Sequence, residues 1–220
     1  MRPQWGREPS CAVILSPPAR SAPASIAAVI EAAGPIDVLV NNAGIGLFGA
    51  FEATPMATER ELFETNTFGT MAMTQAVLPQ FRARRAGVVV NVTSSTTLAP
   101  MPMVAAYTAS KTAVEGFTTS LALELAEFDV RMKLVEPGYG PNTRFADSGS
   151  QRMQGLVPEA YAAFAQRIFA SLGQISAVTS AADVAQAVWH AATDRSGPLH
   201  LPAGADAVAL AQAQLRAGAQ

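Results

Sequence analysis

With 220 residues, half of them hydrophobic, the chain has the size and apolar content of one α/β domain with a sizeable core. A net charge of −2 at neutral pH and a pI near 5.7 give no electrostatic footprint for nucleic acid. The single cysteine, Cys11, cannot form an internal disulfide, nothing spaces Cys or His as metal ligands, and no apolar run approaches membrane-spanning length, so a cytosolic, metal-free protein is expected.

Residues 1–23 are crowded with Pro, Arg and Ser and match the rest poorly; their one strand candidate is Cys11 to Leu15. Ser25 to Ala33 repeats small and apolar residues at helical spacing, with Ser25 or Ala24 near the cap and Gly34-Pro35 as a stop signal. Asp37 to Val40 reads as a short parallel-type strand, Thr58 to about Arg85 as a helix, Val88 to Val92 as a buried strand, Tyr107 to Phe128 as a helix and Val130 to Val135 as a strand. Further on, helices are predicted over Pro158 to Leu172 and Ala181 to Thr193. A last strand follows at Leu199 to Leu201, then a frayed helical tail from Ala207. Such alternation specifies a parallel sheet covered on both faces. Arg82, Arg84 and Arg85 fall where a helix ends, which points to its C-terminal carbonyls, and His190 and His200 read as ordinary helix and strand residues.

The chemistry is concentrated between Asn91 and Lys111. Tyr107 and Lys111 are four apart in a helical segment and therefore share one face, which holds a phenol beside an ammonium. That neighbour is expected to pull the tyrosine pKa below its free value of about 10. Ser94, at the end of the preceding strand, can bring a hydroxyl to the same volume, and Ser95 is the alternative one residue on.

Four further motifs stand in order around this group: Asn41-Asn42-Ala43-Gly44 after an apolar run, Asn66 in a helix, Ser94 after a strand, and Pro137-Gly138 after a β-branched run. Together with Tyr107 and Lys111 they resemble the short-chain dehydrogenase/reductase family in its single-domain form, from about Ala24 to about Gly204. The resemblance implies a Rossmann-like, doubly wound parallel sheet in one domain over residues 1–220, with residues 138–175 as a lid over the substrate. It implies an oxidoreductase that moves a hydride between NAD or NADP and a ketone or secondary alcohol. Tyr107 would be the general acid/base, Lys111 its electrostatic partner and a donor to the nicotinamide ribose, and Ser94 a hydrogen-bond donor to the substrate oxygen. Asn66 would hold a water for proton relay. Asn41, Ala43 and Gly44 would lie beside the adenosine half of the cofactor, Pro137 and Gly138 beside the nicotinamide, and Thr143 or Asn142 would supply the hydroxyl or polar contact nearby. The segment from Gly138 to Thr143 is one residue longer than the usual spacing. Tyr139, Phe145, Met153, Leu156 and Tyr161 are the candidates to line an apolar substrate pocket, and a homodimer or homotetramer is the implied assembly. The related sugar epimerases are disfavoured, because too little chain follows Gly138 for their larger substrate domain.

The front of the chain departs from this pattern. The family carries its pyrophosphate on a turn written Thr-Gly-x-x-x-Gly-x-Gly, where glycine admits the backbone and a helix N-terminus favours the charge. Only Gly6 and Gly34 precede Asn41, so that turn is absent from these residues and the sheet is expected to be incomplete in its N-terminal half. Losing three charge-assisted bonds removes roughly 4–9 kcal/mol, which takes a micromolar cofactor site to about millimolar or weaker. The alternative reading is accordingly an N-terminally truncated, non-catalytic remnant. The open sheet position is expected to be filled by Cys11 to Leu15, parallel to Val38 to Val40, with Ser25 to Ala33 as the crossover helix.

Overall fold

The computed structural model describes residues 11–13, 21–143, 145 and 152–217, and of 11–13 the backbone only. Five parallel strands form one sheet in the order of the chain: β1 (Cys11–Val13), β2 (Val38–Asn41), β3 (Gly87–Val92), β4 (Val130–Pro137) and β5 (His200–Ala203). Seven α-helices accompany them among the described residues: α1 (Ala22–Ala33), α2 (Met56–Phe63), α3 (Gly69–Arg84), α4 (Ala105–Ala126), α5 (Glu159–Leu172), α6 (Ala181–Thr193) and α7 (Ala205–Ala217).

The open sheet position is filled as the sequence suggested. Cys11, Ala12 and Val13 pair with Val38, Leu39 and Val40 in parallel, and α1 makes the crossover. Ile14 and Leu15, the rest of that predicted strand, lie outside the described residues. Helix α1 begins earlier than expected, at Ala22, because Pro23 suits a first turn and Ser25 donates back to the Ser21 carbonyl at 3.1 Å. It stops where expected, at Gly34, whose φ of +82° is readily adopted only without a side chain.

Side-chain alternation sends the two faces of the sheet to different cores. Leu39, Val89 and Met132 pack with Ile26 of α1, Met73, Val77 and Phe81 of α3 and Leu125 of α4. Val38, Val40, Val88, Val90 and Val92 pack with Ala191 and Ala192 of α6 on the other face. Helix α6 starts on a capping box in which Ser180 and Asp183 bond reciprocally.

The helix predicted over Thr58 to Arg85 is two α-helices joined by a π turn, Glu64–Phe68, with Asn66 at its centre. Two of the three arginines at its end behave differently from expectation. Arg84 leaves its own helix and donates to the Ile36 carbonyl at 2.7 Å and the buried Asp37 carboxylate at 2.6 Å, while exposed Arg85 pairs with Asp129 at 3.1 Å. A buried carboxylate demands a cation more strongly than helix carbonyls do. The tail predicted to fray is, over its described residues, a regular helix, α7, and Asp206 in its first turn is tied to the turn after β4 and to Thr179 before α6.

Candidate active site

The chemistry-bearing residues gather beyond the C-terminal ends of the strands, where a doubly wound sheet leaves a crevice. Strand β3 ends at Val92, and Ser94 then caps a short turn, Ser95–Thr97, with its Oγ accepting from the Thr96 N–H at 3.2 Å. Helix α4 supplies Tyr107 and Lys111 one turn apart, both buried, at 7 % and 4 % exposure. Ser94 is the side chain that draws the Tyr107 phenol pKa down, against the larger upward push of burial. Lys111 Nζ donates to the Val92 carbonyl at 3.0 Å.

Asn66 is placed by the π turn. Its Oδ1 accepts from Ile45 N–H at 2.8 Å and its Nδ2 donates to the Ile45 carbonyl at 3.0 Å and to Ser110 Oγ at 3.1 Å. Such a turn adds one residue to the helix and redirects a side chain inward. The loop leaving β2 is thereby tied down, and at Gly44 a Cβ would stand 3.1 Å from Lys111 Nζ and 3.3 Å from Asn66 Oδ1. Ala43 precedes it, half-buried. Asn41 turns its side chain the other way, into the sheet, where Nδ2 donates to Asn91 Oδ1 at 2.8 Å and to Thr74 Oγ1 at 3.1 Å. Asn91 passes the chain on to Thr118 Oγ1 at 2.8 Å. This buried ladder joins β2, β3, α3 and α4 behind the site.

Pro137 and Gly138 end β4. A Cβ on Gly138 would collide with the Asp206 carboxylate, which accepts from Tyr139 N–H and Thr179 Oγ1, both at 2.6 Å. Thr143 spends its hydroxyl within its own turn, on the Gly140 carbonyl at 2.8 Å. Of the pocket candidates, Met153 and Leu156 pack in the cluster that holds Tyr107 with Leu47, Phe48 and Val104, and Phe145 sets its ring 5.7 Å from the Tyr107 ring. Tyr139 contributes its backbone to the Asp206 clamp, and Tyr161 makes a turn contact to Pro158.

Electrostatics overturns one expectation. Tyr107 is not held below its free value but pushed up to about 12, because burial penalises the phenolate more than the Ser94 bond favours it. Burial likewise brings Lys111 down to about 8, against an upward pull from Glu115. Helical neighbours i and i+4 were correctly paired; the dry, apolar surroundings were what the spacing could not reveal. His200 also departs from its expected plain role, since its Nδ1 lies 2.6 Å from Glu136 Oε1. Glu115, Glu136 and Asp206 went unnoticed in the sequence. Glu115 repeats the four-residue step from Lys111 and could have been read; Asp206 gains its meaning only from a contact across the fold.

Among the described residues no group of three acidic, His or Cys side chains could hold a metal ion, and no helix is long and apolar enough to cross a membrane. The donors suit one half of a dinucleotide. An ammonium has three N–H donors, and Lys111 gives one to Val92 while no other described residue accepts from it. Tyr107 lies one helical turn before Lys111, and a Cβ on Gly44 would stand 3.1 Å from the Lys111 Nζ. For a pyrophosphate the described residues offer no glycine-rich turn opening a helix.

A sequential parallel sheet flanked by helices, with Ser, Tyr and Lys side chains beyond its strand ends, is an α/β fold of the Rossmann-like class. The pattern described as short chain dehydrogenase matches residues 16–154, and the chain belongs to that family. Human retinol dehydrogenase 8 is 36% identical over 178 residues, covering 76% of this chain and 55% of its own length. A short-chain dehydrogenase structure from Streptomyces avermitilis is 32% identical with a TM-score of 0.75, covering 91% of this chain and 72% of its own. A Burkholderia cenocepacia short chain dehydrogenase in complex with NADP is 25% identical with a TM-score of 0.66, covering 90% and 72%. The chain spans about a third to just over half the length of the curated relatives it matches first.

Proposed function

We propose that this chain is an oxidoreductase that exchanges a hydride between NAD or NADP and a lipophilic ketone or secondary alcohol, with Tyr107 as general acid/base. The observation that carries the reading is that Tyr107 and Lys111 lie buried one helical turn apart, with buried Ser94 just beyond β3 drawing the phenol pKa down. The cofactor would supply or accept the hydride; orientation and proton handling fall to the protein. Tyr107, protonated well past neutral pH, is set to give its proton to a carbonyl oxygen, and Ser94 is set to donate a hydrogen bond to that oxygen as charge develops. Lys111 and the Gly138 turn would hold the nicotinamide ribose and ring side, and Asn66 would steady the loop that carries Gly44 against Lys111. Ala43 and Asn41 keep the adenosine-side role the resemblance gives them, through their backbone. Thr143, whose hydroxyl donates to the Gly140 carbonyl, would meet the cofactor as an acceptor.

A lipophilic substrate is supported by the apolar cluster around Tyr107, which includes Leu47, Phe48, Val104, Met153 and Leu156, and by a relative named for retinol. The same reading carries a cytosolic homodimer or homotetramer, for which the resemblance is the support. A non-catalytic chain with weak or no cofactor binding is favoured by one feature, the lack of a glycine-rich turn before Asn41. The test is turnover of long-chain ketones with millimolar NADH or NADPH, in the wild type and Y107F. Turnover lost in Y107F supports the enzyme with Tyr107 as acid/base; no turnover in the wild type favours the non-catalytic chain, and equal turnover in both removes Tyr107 from the reaction.

A further inference from the structure

Helix α4 carries a third polar residue on the stripe of Tyr107 and Lys111, namely Glu115, one more turn along. Its Oε1 accepts from Thr97 Oγ1 at 2.5 Å and from Thr93 Oγ1 at 2.9 Å, the residues on either side of the Ser94 turn. The Thr97 hydroxyl also reaches the Ser94 carbonyl, at 2.6 Å. One carboxylate oxygen therefore grips both ends of the turn that presents Ser94. Behind Glu115 stand Glu136 of β4, fully buried, and His200 of β5, half-exposed and bonded to Glu136 Oε1. Among the described residues Glu136 Oε2 has no hydrogen-bond partner. In front stands Lys111, with Tyr107 beyond it.

We propose that Glu115 is a positioning residue for this site, pinning the Ser94 turn through Thr93 and Thr97 and setting a counter-charge one helical turn from the Lys111 ammonium. The proposal rests on the reading of Ser94, Tyr107 and Lys111 as the reacting set. Its electrostatic half agrees with the titration behaviour. Burial drives Lys111 down and Glu115 opposes it, while burial pushes Glu115 itself up, held back by Thr97 and Thr93, with Glu136 adding to the push and His200 subtracting from it.

The two roles separate by substitution. In E115Q the amide oxygen can still accept from both threonines but carries no charge, whereas E115A loses both functions. Lys111 and Lys133 are the chain's only lysines, and Lys133 donates to the Gly197 and Pro198 carbonyls at the opposite end of β4, so ε-carbon-labelled lysine gives two resonances and an internal control. In E115Q the Lys111 midpoint is expected to fall by about threefold or more in proton affinity, with Lys133 unmoved, and the pH profile of kcat/KM to shift to lower pH with it. E115A is expected to show the same shift and a further rise in KM for the ketone. An unmoved Lys111 midpoint in E115Q, or identical KM values in E115Q and E115A, overturns the proposal. A wild type without turnover whose Lys111 midpoint still falls in E115Q removes the oxidoreductase reading and upholds the Glu115 link.

Discussion

Gly138 has no room for a side chain because the Asp206 carboxylate occupies the place its Cβ would take, while accepting from Tyr139 N–H and Thr179 Oγ1 at 2.6 Å each. The turn after β4 is thus fastened to the first turn of α7. G138A is expected to break this clamp, at about 1–3 kcal/mol for a stranded charged acceptor, and to depress activity beyond that loss. D206N should cost less, since an amide oxygen can keep one of the two bonds. Urea denaturation of both variants checks the order; equal stability of G138A and wild type would contradict it.

Removing the Tyr107 hydroxyl takes away the group proposed to donate the proton, on which Ser94 acts. Y107F is expected to lose about 10²- to 10⁴-fold in kcat while unfolding within about 1 kcal/mol of wild type, as measured by steady-state rates and chemical denaturation.

Lys111 opposes folding at neutral pH. Its pKa is about 8 in the folded chain and 10.5 when free, so the unfolded state binds more protons between those values. Stability from this group therefore rises with pH across that window, and below about pH 8 the full penalty of about 3 kcal/mol applies. K111M removes the penalty and forfeits the bond to Val92, worth about 1 kcal/mol. The variant is expected to be about 2 kcal/mol more stable at pH 7, with the gain shrinking towards pH 9.5, and to be inactive. Tyr107 acts in the opposite sense only above its free pKa of about 10, outside this range. Denaturant midpoints at the two pH values decide; a gain independent of pH would contradict the account.

Phe145 shields Tyr107. Its ring lies 3.0–3.6 Å from the place of a Cβ on Gly46 and 5.7 Å from the Tyr107 ring. F145A should admit water and bring the Tyr107 pKa down from about 12, whereas G46A should push the Phe145 ring aside with a smaller effect in the same direction. Phenolate ultraviolet absorbance follows this directly, because the chain has three tyrosines.

Most of the sheet was legible because its strands are β-branched runs with clear stops, and even the unusual pairing of Cys11 with Val38 followed from asking what covers an exposed strand edge. The Tyr107–Lys111 neighbourhood followed from helical spacing alone. What spacing could not supply was the dielectric around the pair, which reversed the expected direction for Tyr107. Nor could it supply partners distant in the chain, such as Asp206 for Gly138 or Glu136 for His200. The π turn at Asn66 escaped because its sequence, ETNTF, carries no breaker; it is fixed by bonds to Ile45 and Ser110.

The most direct test is titration of NADH and NADPH while following nicotinamide fluorescence, in the wild type and in K111M. The account predicts saturable binding at about millimolar cofactor, consistent with the proposed role of Lys111 and with no glycine-rich turn opening a helix among the described residues, and its loss in K111M. No binding by the wild type in that range, or binding that survives K111M unchanged, would contradict it.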